Sequence, residues 1–358
     1  MSSRPPWHPA HVHYHARDRS GLLLDAVEPL IAQVRDDVAG LYVVPHWQRG
    51  PHLRLMFAAE PAVWAGRVRP AVERIVGGYL RQKPSTARID VEAALAQHRR
   101  LAELEKLDGP LTPWAPDNTI EFPPFQSRVE AMGGAEIADL VTDFYVASND
   151  HYLAATRYLR DGAEPVDLFG LTLLLITAGT DGGLRRNVGS FRSHAEGFLS
   201  RCADPQAARA VFEREFARHR ETILTRVRDV ADPAYTPPPL MQAWAALMRW
   251  VRGRAEPAVR SGALRFPDEL RQSDIEDPRT PEYLRRAFAN EAYVRRGLDN
   301  PDFLRYRVVL NCSYLQLTRL GVAPPNRHLL CHLAANAIEE LYGVSAIGAI
   351  ERFVAEHP

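Results

Sequence analysis

Hydrophobic and polar positions alternate with a period of two near the N-terminus and recur with a period near 3.6 in the C-terminal two thirds, with a proline-rich stretch between. The clearest alternation is Leu41 to Phe57, Leu-Tyr-Val-Val-Pro-His-Trp-Gln-Arg-Gly-Pro-His-Leu-Arg-Leu-Met-Phe. Two apolar runs, Leu41 to Val44 and Leu53 to Phe57, flank a polar segment with Gly50 and Pro51, which predicts a hairpin inside a sheet. Leu53, Leu55 and Phe57 then share one face, the core, while His52, Arg54 and Met56 share the other, which is open to chemistry or binding. Ala10 to Arg17 alternates His11, His13 and His15 with Val12, Tyr14 and Ala16, predicting a half-buried strand. Ser20 caps a helix through Val38 with an apolar stripe of Leu22, Leu23, Val27, Leu30, Ile31 and Val34. A second helix spans Pro61 to Leu80. Strand, helix, two strands, helix is the order of an α+β sheet covered on one face by helices.

Periodicity disappears from Asp108 to Gly134, where Pro110, Pro113, Pro116, Pro123 and Pro124 mark either a linker or a long ordered loop across the sheet. Beyond it helices are predicted near 135–160, 166–179, 190–202, 206–230, 239–253, 281–296, 302–320, 326–342 and 345–356. The expected class is therefore α+β: a small β-sheet with a hairpin packed against helices, then a largely helical C-terminal half. One domain, 1–358, is expected, with a sheet-rich part to about 134 and a helical part from about 135.

Charge and cysteine content narrow the function classes. Lys plus Arg and Asp plus Glu both number 44, so nothing global favours nucleic acid. Cys202, Cys312 and Cys331 form no CxxC pair, which argues against a disulfide framework or thiolate zinc site and for a reducing cytoplasm. No apolar run is long enough for a bilayer, and Met1 to Trp7 lacks a signal-peptide core, so a cytoplasmic, non-membrane protein is expected. The row of His11, His13 and His15 could bind a transition metal, yet no carboxylate or cysteine stands at ligand spacing. A polar strand face is the commoner origin of such a row, and no metal is expected. Ala178-Gly179-Thr180-Asp181-Gly182-Gly183 follows an apolar helical run and lacks the phosphate-loop lysine, so it reads as a helix end and turn. Pattern alone stops at an enzyme or a peptide-binding module.

Several stretches carry a resemblance. The aromatic-rich first strand, the helix ending before Leu41, the Gly50-Pro51-His52-Leu53-Arg54-Leu55 hairpin and Glu130-Ala131-Met132-Gly133-Gly134 resemble the C-terminal domain of lantibiotic dehydratases, which also stands alone as a thiopeptide-type bacteriocin biosynthesis protein. Phe191-Arg192-Ser193-His194-Ala195-Glu196-Gly197-Phe198-Leu199, and Leu310-Asn311-Cys312-Ser313-Tyr314-Leu315 through Leu320-Gly321-Val322 to Arg327-His328, resemble the thiopeptide branch, whose members act as pyridine synthases. In eliminating family members arginines hold a leaving glutamate. Where those members carry an Arg-Tyr pair, an arginine before Gly-Gly and a His-Met motif, this chain has Pro45-His46, Ala131 and Asn311-Cys312. Loss of the guanidinium fork removes bidentate carboxylate recognition and makes glutamate elimination an unfavoured reaction.

The resemblance implies a formal four-plus-two aza-cycloaddition between two dehydroalanines of an azole-containing peptide, with loss of water and leader peptide and no cofactor. Catalytic candidates are Ser193, His194, Asn311, Ser313 and Tyr314; substrate-binding candidates are His46, Trp47, Arg49, His52 and Arg54, facing an acidic leader. The implied partner is the precursor peptide, with a homodimer as a further expectation. A glutamate-eliminating lyase subunit and a non-catalytic leader-binding scaffold are the competing readings. For Tyr314 the alternative is a core residue with a satisfied hydroxyl.

Overall fold

The alternating runs form one antiparallel sheet: β1 (Trp7–His13), β2 (Gly40–His46) and β3 (His52–Ala58). The computed structural model describes residues 4–105, 107, 109–129, 132, 134–264 and 268–357; of the Glu130 to Gly134 stretch, 130, 131 and 133 lie outside the described residues. A fourth strand, β4 (Thr119–Glu121), emerges from the proline-rich stretch and pairs with β1, giving the order β2-β3-β1-β4. Three residues are too few to show a period, so pattern could not find it.

The register sets the two faces. Val12 lies opposite Leu53, Ala10 and Val43 opposite Leu55, and Leu41 opposite Phe57, all buried. Helix α1 (20–34) and helix α2 (61–82), each with one π-helical turn, bring Leu22, Val27, Leu30, Val68, Val72 and Val76 into the same core. Trp64 of α2 meets Phe57 of β3 at 5.9 Å between ring centroids. Ser20 does not cap α1: it is the first helical residue, and its N–H donates to the Asp18 carboxylate at 2.9 Å.

The opposite face is not open. It carries His11, His13, Tyr42, His46, His52, Arg54 and Met56, and both His13 and His52 are only 1% exposed. Helix α3 (Val91–Glu105), which the periodicity did not reveal, supplies His98, and the loop before β4 supplies Trp114 to that face's surroundings. At the other end, Tyr145 of α4 (Ala135–Ala147) stacks on Tyr42 at 5.3 Å. Helix α5 (Asn149–Arg160) follows a break at Ser148, so the single helix expected over 135–160 is two.

The chain divides into two compact units, Met1–Ala163 and Glu164–Pro358. In the second, α6 (Val166–Thr180) is buried along Phe169 to Ala178, as a helix surrounded by helices must be. Against it pack α8 (Pro205–Ala231), α9 (Pro239–Arg260), α13 (Pro301–Arg319) and α14 (Pro324–Tyr342), while α7 (Leu184–Leu199) lies along α14. A Cβ at Gly170 of α6 would stand 2.9 Å from a Leu317 methyl and 3.1 Å from a Leu330 methyl, so the missing side chain lets α13 and α14 approach. The segment after α6 turns through Gly182 and Gly183 at positive φ, with Asp181 paired to Arg252 at 3.0 Å. Helices α10 (Asp268–Glu276), α11 (Glu282–Ala289), α12 (291–298) and α15 (Ala346–Glu356) complete the unit; Tyr283, Leu284, Phe288 and Leu298 form a cluster with Ile350. No described helix is long and apolar enough to cross a membrane.

Candidate active site

In the N-terminal unit, strand register gathers imidazoles. His52 stands opposite His46 on β2 and His13 on β1, with ring centroids 5.2 and 4.9 Å away, and His11 is 4.8 Å distant. Arg54 donates from Nε to His52 Nε2 at 3.3 Å, while His52 Nδ1 meets the Gly50 carbonyl at 2.8 Å. Nδ1 is therefore the protonated nitrogen and Nε2 the acceptor, so His52 is a neutral imidazole. Burial first, then neighbouring positive charge, lowers the pKa of His11 to about 3 and pushes His46 and His52 well below the ordinary histidine value. His13 also falls through burial, opposed by the Glu121 carboxylate at 3.2 Å. Among the described residues no group of three or more His, Cys, Asp or Glu is arranged to hold a metal.

The hairpin turn is tied to this cluster. Trp47 lies between His46 and His98, at 5.6 and 5.0 Å, and His98 stacks on Trp114 at 5.3 Å. Arg49, at φ 58°, donates to the Pro113 carbonyl at 3.1 Å and approaches Glu121 at 3.6 Å. The five substrate-binding candidates thus share one region, with His52 inside it and the other four half-buried.

In the C-terminal unit, α7, α13 and α14 meet around Tyr314. The Tyr314 ring is 5.1 Å from His194 of α7, its hydroxyl is 3.3 Å from the Cys331 thiol of α14, and the Arg327 guanidinium lies 4.9 Å above the ring. Burial raises the Tyr314 pKa well above the usual phenol value, and Cys331 rises to about 11 for the same reason. His194 is lowered to about 3 by burial, then by its coupling to His328 and by the guanidinium charges of Arg327 and Arg307. Tyr314 is accordingly a protonated donor at neutral pH and His194 a neutral acceptor.

The other catalytic candidates separate from this pair. Ser313, next along α13 and about 100 degrees round the helix, is fully buried and bonds Thr177 of α6 at 2.8 Å and the Val309 carbonyl at 3.1 Å. Trp244 of α9 donates to the same Thr177 hydroxyl at 3.0 Å, making a closed polar pin between helices. Ser193, half-buried on α7, lies near Tyr283, whose buried hydroxyl has no hydrogen-bond partner among the described residues. Asn311 is exposed and stands one turn before Tyr314.

The family model of the lantibiotic biosynthesis dehydratase C-terminal domain matches residues 7–338. The chain belongs to that family. Among solved structures similar to this lantibiotic dehydratase C-terminal chain is the pyridine synthase TbtD from thiomuracin biosynthesis, 34% identical over 96% of this chain and 100% of that one, with a TM-score of 0.77. TsrL is 21% identical over 96% of this chain and 97% of its own, with a TM-score of 0.68, and shows the shared fold. No curated protein matches the chain.

For this member of the family, sequence reasoning singled out Tyr314 and His194, which the fold brings together, but passed over Arg327 and Cys331, which also lie against Tyr314. Helical spacing held part of the signal. Arg307, Asn311 and Tyr314 fall at i, i+4 and i+7, and Arg327 and Cys331 at i and i+4, so each set shares a helix face.

Proposed function

We propose that this protein is a thiopeptide pyridine synthase, joining two dehydroalanines of a ribosomally made, azole-containing peptide by a formal four-plus-two aza-cycloaddition and expelling water and the leader peptide. The likeness to the TbtD pyridine synthase along the whole chain carries this reading. Pro45-His46 and Asn311-Cys312, in place of the residues expected of glutamate-eliminating members, support cycloaddition over elimination.

The chemistry needs an amide in its imidic-acid form, two alkenes held in contact, and departure of water and a carboxamide. Holding a flexible peptide in the reactive fold supplies several kcal/mol of such a barrier. Tyr314 is the proposed donor. Either group of the Tyr314–Cys331 pair can donate; in the arrangement where the thiol does, the phenol proton is left for a substrate oxygen, and neutral His194 beside it accepts or relays a proton. Ser313 acts as a structural pin in this scheme, and Asn311 lies on the same helix stripe as Tyr314. In the N-terminal unit His52 is enclosed, so recognition of an acidic leader falls to the half-exposed Arg49 and Arg54, with Trp47 beside them. The expected setting is the cytoplasm, where the precursor is made.

Purified protein and a leader-bearing peptide with dehydroalanines and thiazoles should give a macrocycle lighter by water and leader, with pyridine absorbance and no added cofactor. Conversion of a glutamylated peptide to dehydroalanine instead would replace this reading with a lyase.

A further inference from the structure

Arginines of the C-terminal unit are repeatedly joined to carboxylates: Arg192 to Glu339, Arg209 to Glu196, Arg252 to Asp181 and Asp302, and Arg305 to Glu256 and Asp302. Arg327 departs from this pattern. It is half-buried, and its Nε is shut off from solvent without a hydrogen-bond partner among the described residues. Its guanidinium lies over the face of Tyr314, 4.9 Å from the ring centroid. An aromatic face attracts a cation but offers no lone pair to the fork of N–H groups. Among the described residues Arg327 forms no salt bridge.

Partial burial of a guanidinium removes water that would otherwise solvate it, and an anion restores the balance. A neutral carbonyl would satisfy one N–H and leave the charge. A carboxylate matches both the charge and the planar, two-pronged geometry. We propose that Arg327, packed on Tyr314 beside the stripe of α13 that carries Asn311, binds a carboxylate of the peptide substrate; this names the substrate group met by the proposed pyridine synthase site and rests on that reading. The carboxylate comes either from the C-terminus of the core peptide or from an acidic side chain of the leader.

Unreactive peptides, with alanine in place of both dehydroalanines, separate binding from turnover. Four are needed: leader acids intact or changed to amides, each with a C-terminal acid or carboxamide. Neutralising the relevant carboxylate should weaken binding to the full-length protein about tenfold or more, and the arm that shows the loss identifies the source. Arg327→Gln should bind the acid and neutral forms alike, while Arg327→Lys, which keeps charge but loses the fork, should keep part of the difference. Both variants should melt close to wild type, because Arg327 makes no ion pair among the described residues. Equal binding of all four peptides by wild type, or full discrimination by Arg327→Gln, would overturn the proposal. Since these peptides cannot cyclise, a failed macrocycle assay with the reactive substrate would remove the pyridine synthase reading alone.

Discussion

At the scale of residues, Tyr314 and Ser313 show how adjacent hydroxyls in one helix acquire different work. Ser313 is enclosed by Thr177, Met248 and the Val309 carbonyl, so its hydroxyl is spent on holding α13 to α6 and α9. Ser313→Ala should lower stability by about 1 kcal/mol, read from a denaturation midpoint, with turnover per folded molecule unchanged. Tyr314 has Cys331 as a weak partner and His194 and Arg327 at its ring. If its proton is used only in the transition state, Tyr314→Phe should lower kcat and kcat/KM together by about a hundredfold or more. Peptide affinity should stay close to wild type. A fully active Tyr314→Phe protein with reduced stability would make Tyr314 a second structural hydroxyl.

At the scale of elements, the hairpin turn between β2 and β3 is tightly constrained. Gly50 sits at φ 103°, its N–H donates to the Trp47 carbonyl, and a Cβ would stand 3.1 Å from His15 and 3.3 Å from Trp114. Gly50→Ala should therefore cost about 1–2 kcal/mol, measured as an earlier urea midpoint, and should loosen the Trp114 loop with it. Elements with several periods of pattern were legible from residues alone: β1 to β3, α1, α2 and most C-terminal helices. Short or weakly patterned elements were not. β4 has three residues, and α3 buries no apolar side chain among its described residues, only His98. The histidine row on β1 was visible as a row, but its burial depends on His98 and Trp114, whose return to the sheet is a tertiary fact. Likewise, Tyr314 and His194 entered through family likeness, while the placement of Arg327 over the Tyr314 ring is a tertiary fact.

At the scale of the whole molecule, enclosed neutral imidazoles set the response to acid. His11 and His194 titrate near 3 and His328 near 4 in the fold, against an ordinary value of 6.5. Between those values the unfolded chain binds more protons than the folded one, so stability is fully present above about pH 6.5 and is lost as pH falls. Each such imidazole adds up to about 1.4 kcal/mol per pH unit to the slope within that window. Melting temperature should thus be flat from pH 7 to 8 and fall steeply from pH 6 to 4; a flat profile to pH 4 would contradict the enclosed, neutral arrangement. The late position of β4 adds a temporal side to this chemistry. Its partner β1 is made first, and roughly a hundred residues must follow before Thr119–Glu121 can close the sheet beside it. Until Thr119–Glu121 has been made, β1 has β3 as its one sheet neighbour, and the edge that β4 covers is the last part of the sheet to be closed.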